Sequence, residues 1–462
     1  MVLDNDFIRY TEEAIGSRNA LVAFSALDTP ASVSIRLNPF KTDDKDAGHW
    51  GVGVVPPWNP LGLILGERPS FTLDPLFHSG AYYVQDSSSM FVGYMLRKLL
   101  EDNFMECGGR VRALDLCASP GGKTTDFAAS LRQIFADNFL LVSNEVMRSR
   151  VHILADNVAR WGDPNIAVVS NDPSDFKPLD GYFDIILTDV PCSGEGMFRK
   201  DIKALEQWSA ENVALCQARQ RRIVADVWPS LREGGLLIYS TCTFNKKEND
   251  DNVSWIAETL GAEIIRCCDS SSASGVIVTE NGYSLVPGFV PGEGQYCAAL
   301  RKISSSGGCA KKAPGIYSSS RGKASKEVEQ YEEYFTIPVS LQTMSNMTVA
   351  VPKHLETDLS FLRNFLNIIQ SGCTVGTLKA GKMVPHEDLA LSVFVNQDVF
   401  VRKEVDLRTA LSFLHKDAIR LDGCKEGYVM VCYSGHPLGF VKNLGTRCNN
   451  LHPQERRIRM DI

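Results

Sequence analysis

The chain has 462 residues and a formal net charge of −7, and its length is typical of a protein with two or three domains. Its composition, 44% hydrophobic and 22% charged residues, is typical of a globular protein. The acidic balance excludes a protein that coats nucleic acid through overall basicity. No apolar run approaches the ~20 residues that span a bilayer, the first residues lack a secretory signal, and the 13 cysteines include no Cys-x-x-Cys pair. We therefore expect a cytoplasmic protein with reduced thiols, no membrane segment and no metal site.

Residues 1–105 mix helical and irregular patterns and form a predicted N-terminal extension. Within it, the segment Ser32–Pro39 alternates like a strand and stops at a proline.

Residues 106–303 alternate short apolar runs with helical patterns, which is typical of βαβ units. The predicted strands are Arg112–Cys117, Leu140–Asn144, Ile166–Val169, Asp184–Thr188, Gly235–Ser240, Glu263–Ile265, Ser284–Val286 and Tyr296–Lys302. The clearest predicted helices are Lys123–Phe135, Arg148–Trp161 and Ala210–Leu231. This order predicts an α/β fold with a mostly parallel sheet and helices on both of its faces.

The chain changes character after the predicted sheet. Residues 304–330 are rich in Ser, Gly and Lys and read as a linker, and seven basic residues and no acidic residue occur in Arg301–Lys326. Residues 331–462 carry short alternating segments broken by Gly and Pro, which predict a small C-terminal α+β or barrel-like domain.

A turn rich in Gly and Pro follows the first predicted strand of the sheet and opens a helix. Its sequence runs from Cys117 to Lys123 and matches neither a Walker loop nor Gly-x-Gly-x-x-Gly. Glycines at such a turn let a ligand approach the backbone, and the helix N-terminus favours partial negative charge. The turn therefore indicates a cofactor site without specifying a phosphate.

Two acidic residues end the next two predicted strands. Glu145 stands where an acid commonly binds ribose hydroxyls, and Asp172 could accept a hydrogen bond from an adenine amino group. Either residue alone could be a helix cap or a turn residue. Together with the glycine turn they favour an adenosyl cofactor that lacks a pyrophosphate.

Two cysteines follow two later apolar strands, in Asp189–Gly194 and Ser240–Thr243. A thiolate is a strong soft nucleophile, and its addition to carbon 6 of cytosine would make carbon 5 reactive toward a methyl donor, with Asp189 hydrogen-bonded to ring nitrogen 3. The residues alone leave open whether Cys192 or Cys242 attacks, and either could be a small buried hydrophobe. Candidate cations for stabilising the thiolate are Lys123, Arg199 and Lys200.

The segments Cys117–Lys123, Asp189–Lys200 and Ser240–Phe244 together resemble the signature motifs of the Sun-type RNA cytosine-5 methyltransferases. The resemblance implies a Rossmann-like methyltransferase core that uses S-adenosylmethionine. It implies that Cys242 is the nucleophile and that Cys192 assists product release, with Asp189 as the third catalytic residue. The cofactor residues that it implies are Cys117, Ala118, Ser119, Pro120, Gly121, Gly122, Lys123, Glu145, Asp172 and Asp189.

Two C-terminal segments, Gly372–Lys379 and Gly435–Asn443, are similar to the RsmF-like branch that acts on 16S ribosomal RNA. The resemblance implies a PUA-like RNA-binding domain at residues 331–462, an RNA-binding N-terminal extension, and a partner that is 16S rRNA or the small ribosomal subunit. We expect a monomer. The alternatives are a transfer RNA cytosine-5 methyltransferase, or a non-catalytic RNA-binding or ribosome-assembly factor.

Overall fold

The computed structural model describes residues 3–43, 46, 48–51, 53–102, 109–267, 274–303, 326–344 and 346–462. Most of the predicted linker, 304–330, and of the basic stretch within it lies outside the described residues.

The N-terminal part contains α-helices and a three-stranded antiparallel sheet. Its elements are α1 (Asn5–Ile15), α2 (Ser17–Leu27), β1 (Val33–Leu37), β2 (Gly62–Leu65), α3 (Pro75–Ser79), β3 (Tyr82–Val84) and α4 (Phe91–Glu101). Strand β1 lies between β2 and β3, which confirms the strand predicted before Pro39. Helix α1 begins after Asp4, whose carboxylate accepts a hydrogen bond from the Asp6 N–H at 2.7 Å.

A large sheet occupies the middle of the molecule. Its first half consists of β4 (Val111–Asp115), α5 (Gly122–Phe135), β5 (Phe139–Asn144), α6 (Arg148–Trp161) and β6 (Ile166–Val169). The elements that follow are β7 (Phe183–Asp189), α7 (Ile202–Gln207), α8 (Ala210–Val227), β8 (Leu231–Thr241), α9 (Asp250–Leu260), β9 (Ala262–Ile265), β10 (Ile277–Val278), β11 (Tyr283–Leu285) and β12 (Gln295–Lys302).

Five parallel strands, in the order β6-β5-β4-β7-β8, form the centre of this sheet. The chain order reverses between β4 and β7, and the carboxyl ends of strands at such a switch point are where α/β sheets bind ligands. Strand β12 adds antiparallel to β8, and β11 and β9 both pair with β12.

Apolar cores lie on both faces of the sheet, because successive strand residues point to opposite sides. Ala113 and Leu141 face the core formed with α4, α5 and α6, whereas Leu114 and Val142 face the core formed with α8 and α9. The predicted α/β sheet with helices on both faces is therefore confirmed.

The structure corrects one predicted helix. The helix predicted to run from Ala210 to Leu231 ends at Val227, and Leu231 already belongs to β8. Pro229 lies in the short 3-10 turn between them, because proline lacks the N–H that a continuing helix needs.

The C-terminal part contains two four-stranded sheets. Its elements are α10 (Lys326–Glu329), β13 (Val339–Met344), β14 (Met347–Pro352), α11 (Glu356–Leu362), β15 (Ile368–Ser371), β16 (Cys373–Lys379), β17 (Lys382–Pro385), α12 (Glu387–Leu391), β18 (Val401–Glu404), α13 (Leu407–His415), β19 (Gly427–Tyr433), β20 (His436–Asn443) and β21 (Cys448–Asn450). The sheets have the orders β13-β14-β16-β17 and β18-β19-β20-β21.

The C-terminal part is joined to the central sheet by more than chain connectivity. Strand β15 pairs antiparallel with β6 and so extends the central sheet at its edge. Near the C-terminus, Arg456 pairs with Asp156 of α6 and with Asp388 of α12. These contacts fix the last part of the chain against the sheet that carries the predicted site.

Candidate active site

The predicted cofactor turn connects β4 to α5. Gly121 has a φ of +112°, a backbone conformation that residues with a Cβ rarely adopt. The Ala118 N–H donates to the carbonyl of Asn144 at 2.9 Å, and the Tyr83 hydroxyl donates to the carbonyl of Pro120 at 3.1 Å. The predicted residues that the structure places together here are Cys117, Ala118, Ser119, Pro120, Gly121, Gly122 and Lys123.

The two predicted acids lie at the carboxyl ends of β5 and β6, beside this turn. Glu145 is buried, and its Oε1 accepts the Met147 N–H at 2.8 Å while Arg150 lies 3.7 Å from Oε2. Asp172 caps a 3-10 turn, because its Oδ1 accepts hydrogen bonds from the N–H and hydroxyl of Ser174. These bonds lower the pKa of Asp172, the backbone bond having the largest effect, so the carboxylate stays an acceptor.

A cleft of about 270 Å³ opens beside these strand ends. Val146 and Asp172 line it from the central sheet, and Asn367 and Ile369 line it from the region of β15. The main chain of Asn367 is held by Ser170 and Asn171 at 3.0 and 2.9 Å. Of the predicted cofactor residues only Asp172 lines this cleft, so the C-terminal part borders the predicted site at Asp172.

Asp189 links the cofactor turn to the cysteine-bearing strands. Its Oδ2 accepts from Lys123 Nζ at 2.9 Å, and its Oδ1 accepts from the Ser240 hydroxyl at 2.6 Å. Gln295 donates to the same hydroxyl oxygen at 2.9 Å. Burial lowers the pKa of Lys123, but the charge and hydrogen bond of Asp189 and the proximity of Cys242 raise it by more, so its net pKa is above the ordinary value. Lys123 therefore remains a cation next to Cys242.

The two predicted cysteines meet. Cys192 Sγ lies 3.1 Å from Cys242 Sγ, and both residues are half-buried. The adjacent strands β7 and β8 bring them together, with Asp189 and Ser240 opposite each other in the ladder. The hydrogen bond with Cys242 and burial raise the pKa of Cys192, so Cys192 keeps its proton more firmly than an ordinary thiol.

Only one of the three candidate cations lies at the thiols. Lys123 does so, whereas Arg199 forms a two-pronged buried ion pair with Glu293, at 2.7 and 2.9 Å. Lys200 lies 3.3 Å from Asp86. Arg199 and Lys200 therefore connect the loop after Cys192 to neighbouring segments instead of stabilising a thiolate.

The sequence analysis missed Arg36, which supports the cofactor turn from the N-terminal part. Its guanidinium is fully buried, donates to Gln85 Oε1 at 2.7 Å and to the Thr125 hydroxyl at 2.6 Å, and lies over the ring of Trp161. Thr125 belongs to the first turn of α5. An Arg inside a strand pattern whose neighbours are apolar was the available signal, since a buried Arg needs partners.

It also missed two buried acids behind the thiols, Glu195 and Glu248, which share the side-chain amide of Asn245 at 2.9 and 2.8 Å. Acids in polar loops usually face solvent, so the sequence offered no signal for their burial.

Among the described side chains, no group of three His, Cys, Asp or Glu could hold a metal ion. No helix in the part of the chain that the structure describes is long and apolar enough to cross a membrane.

Comparison with protein families identifies three matching segments. The family of 16S rRNA methyltransferase RsmB/F matches residues 106–301, the N-terminal domain of 16S rRNA methyltransferase RsmF matches 3–87, and the RsmF PUA domain matches 401–458. The three matched segments are thus similar to 16S rRNA methyltransferases of the RsmB/F type, and the two flanking segments to RsmF in particular. The resemblance stated from the motifs is thereby confirmed.

Curated relatives include the ribosomal RNA small subunit methyltransferases F of Escherichia coli O157:H7 and of Salmonella paratyphi A. The first is 35% identical over 311 residues, which cover 64% of this chain and 62% of the relative. The second is 35% identical over 314 residues, which cover 65% and 63%. The chain thus spans a little under two thirds of the length of these relatives.

Solved structures share the fold. A methyltransferase homolog protein from Pyrococcus horikoshii has a TM-score of 0.52 at 24% identity and covers 64% of this chain and 94% of its own. NSun6 from the same organism, solved with SFG, has a TM-score of 0.51 at 18% identity and covers 65% and 99%. The predicted fold class is confirmed: a Rossmann-like methyltransferase core with an N-terminal domain and a C-terminal PUA domain. The limits 1–105, 106–303, 304–330 and 331–462 stay a prediction.

Proposed function

We propose that this chain is an S-adenosylmethionine-dependent RNA methyltransferase that forms 5-methylcytosine in 16S rRNA, acting as a cytoplasmic monomer. Similarity to the RsmF-like branch supports the reaction class. The observation that carries the proposal is the pair of thiols 3.1 Å apart beside Asp189, which is itself bonded to Lys123 of the glycine turn. Direct contacts therefore link the acid to the turn that would hold the methyl donor, and the acid lies at the same end of the strand pair as the thiols.

The donor set at the strand ends fits S-adenosylmethionine. Glu145 offers a buried carboxylate where ribose hydroxyls are commonly bound, Asp172 can accept from the adenine amino group, and the turn at Gly121 lets the ligand approach the backbone. When bound, S-adenosylmethionine supplies an electrophilic methyl group. The residues that would hold it are those of the turn 117–123 together with Glu145, Asp172 and Asp189.

We assign the attack to Cys242. The raised pKa of Cys192 favours its protonated form, which leaves Cys242 as the nucleophile, as the resemblance implies. The Cys242 sulfur bonds to carbon 6 of cytosine, and carbon 5 then takes the methyl group. Ring nitrogen 3 takes up the proton that the Cys242 thiol loses, and the Asp189 carboxylate, oriented by Lys123 and Ser240, accepts a hydrogen bond from that N–H.

Cys192 is assigned to release. After methylation, a base removes the proton from carbon 5, and the electron pair left there expels the sulfur from carbon 6, which restores the double bond and frees Cys242. Cys192 Sγ lies 3.1 Å from Cys242 Sγ, so Cys192 is close enough to assist the departure of the Cys242 sulfur.

The target must be an unstacked cytosine, because a stacked base is out of reach of a cleft; unstacking costs a few kcal/mol. The match to the RsmF PUA domain at 401–458 supports RNA contacts that help supply that energy, and the branch supports 16S rRNA over transfer RNA.

The test is transfer of a radiolabelled methyl group to 16S rRNA, to small ribosomal subunits and to transfer RNA. Cys242→Ala should abolish transfer, and Cys192→Ala should accumulate a covalent protein–RNA adduct on a denaturing gel. Cys424→Ala, which changes a half-buried cysteine of the C-terminal part, should behave as wild type. Normal methylation by Cys242→Ala would show that the nucleophile is misassigned; methylation of transfer RNA alone would favour the tRNA enzyme, and RNA binding without transfer the assembly factor.

A further inference from the structure

The loops that carry the two cysteines each contain a glutamate that binds the backbone of the other loop. Glu195 follows Cys192 by three residues, and its Oε2 accepts the N–H groups of Phe244 and Asn245, just after Cys242, at 2.6 and 3.1 Å. The first cysteine loop therefore holds the second through Glu195.

Glu248 makes the reverse connection. It lies on the loop after Cys242, and its Oε2 accepts the N–H of Ser193 at 3.0 Å. Gln220 of α8 donates one amide nitrogen both to Glu248 Oε2, at 2.6 Å, and to the carbonyl of Pro191, at 2.9 Å. The residues on both sides of Cys192 are thus held by Glu248, one directly and one through Gln220.

Asn245 joins the two carboxylates. Its amide nitrogen lies 2.9 Å from Glu195 Oε1 and 2.8 Å from Glu248 Oε1, and all three side chains are fully buried. Burial, and then the charge of Glu195, raise the pKa of Glu248 to about 7. Two adjacent buried acids cost the fold stability, because burial and mutual repulsion both disfavour their charged forms, so their value must be sought in what they position.

We propose that Glu195 and Glu248 are positioning residues of a reciprocal clamp, in which Glu195 sets Cys242 for attack and Glu248 sets Cys192 for release. This inference rests on the proposed function and extends it. The two sulfurs end 3.1 Å apart because each loop is held by the acid of the other. Loosening one acid should therefore impair one step in preference to the other.

The first test compares Glu248→Gln and Glu195→Gln in methyl transfer to 16S rRNA. Glu248→Gln should lower turnover at least tenfold and raise the trapped protein–RNA adduct, as Cys192→Ala does, because release slows. Glu195→Gln should lower turnover without trapping adduct, because attack slows. The control is Glu280→Gln, which changes an exposed glutamate paired with Lys246 of the same loop region and should leave both readouts unchanged.

A double variant separates positioning from general damage. If Glu248 acts through Cys192, adding Glu248→Gln to Cys192→Ala should leave adduct lifetime unchanged, because the group it positions is already gone. Additive losses in the double variant, or an adduct level in Glu248→Gln equal to that of wild type, would overturn the proposal.

The approach of the two thiols can also be measured without RNA. Diamide joins two nearby thiols by forming an S–S bond while its N=N group takes up both hydrogens, and the rate for Cys192 and Cys242 can be followed by mass spectrometry. Wild type should couple quickly, and Glu248→Gln or Glu195→Gln at least tenfold more slowly. Equal rates would overturn the clamp even if methyl transfer is confirmed, whereas slowed coupling in a protein that transfers no methyl group would leave the clamp standing and reject the proposed reaction.

Discussion

The thiol end and the cofactor end of the candidate site are held in different ways. At the thiol end, the supports are neighbours in the central sheet: Glu195, Asn245 and Glu248 all lie in the loops that carry the cysteines. At the cofactor end, Arg36 comes from the N-terminal part and Asn367 from the C-terminal part. The two loops of the proposed thiol site thus hold each other, with Arg199 and Lys200 reaching Thr29 and Asp86 of the N-terminal part, whereas the proposed donor site depends on distant segments at both of its sides.

This difference predicts separable defects. Changes near the cysteines should slow methyl transfer while cofactor affinity stays unchanged. The glycine turn contacts Asp189 directly through Lys123, and such changes leave that contact in place. Changes in the flanking parts should weaken cofactor binding first. A variant that damages both ends equally would show that they form one unit.

The largest expected effect is that of Gly196→Ala at the thiol end. A Cβ at Gly196 would lie 2.8 Å from the carbonyl oxygen of Cys242 and 3.1 Å from that of Glu293, so the loop must move away from Cys242. Because a displacement of about 1 Å can cost 10²-fold in rate, we expect about a 100-fold loss of methyl transfer. The displaced loop does not include the glycine turn, so S-adenosylmethionine affinity, measured by calorimetry, should stay within about twofold of wild type.

The matched control is Gly194→Ala in the same loop. Its φ of +78° makes alanine strained, but nothing lies within 4 Å of the added Cβ, so only a strain cost of about 1–2 kcal/mol applies. An equal loss of transfer in both variants would contradict the steric argument.

The second expected effect is that of Arg36→Met at the cofactor end. The substitution removes hydrogen bonds from a buried cation to Gln85 and Thr125, each worth about 1.5–3 kcal/mol. We expect a lower Tm and roughly tenfold weaker S-adenosylmethionine binding, about 1.4 kcal/mol, with the diamide coupling of the two thiols unchanged. Arg9→Met, at an exposed arginine, is the control. Unaltered cofactor affinity in a folded Arg36→Met protein would argue that the N-terminal part does not support the turn.

The same contrast explains what the sequence predicted. The strands, the glycine turn and the cysteine pair were predicted because their signals are local: apolar runs of the right length, Gly and Pro at a turn, and Cys after a strand. The bounds of β6 and α6 agree with the prediction residue for residue. The prediction that this helix continues beyond Val227 was wrong, because it took no account of Pro229.

What the sequence did not predict depends on contacts between distant residues. Nothing local marks Ile368–Ser371 as a strand that pairs with β6, two hundred residues earlier along the chain. Likewise, Arg199 looked like a candidate cation for a thiolate, but Glu293 binds it elsewhere. Burial turns such residues from apparent surface charges into structural ones, and burial is set by the whole fold.

The smallest expected effect concerns Asp115, which lies at the end of β4 between the two ends of the site. Burial raises its pKa to about 7, and the charges of Asp189 and Glu145 contribute to the rise, while the Thr124 hydroxyl donates to its carboxylate at 2.6 Å and lowers it. An unfolded Asp releases its proton near pH ~3.9. Between these values the folded protein binds more protons than the unfolded chain, so its stability falls as pH rises toward 7.

Asp115→Asn removes this ionisation and can still accept the Thr124 hydrogen bond. The Tm of Asp115→Asn minus the Tm of wild type should therefore be a few degrees higher at pH 8 than at pH 5. Thermal unfolding followed by fluorescence measures this difference. Asp102→Asn, at an exposed position at the end of α4, should show no such pH dependence. If the Tm difference between Asp115→Asn and wild type were the same at both pH values, Asp115 would titrate like an ordinary carboxyl. Its raised pKa would then be contradicted.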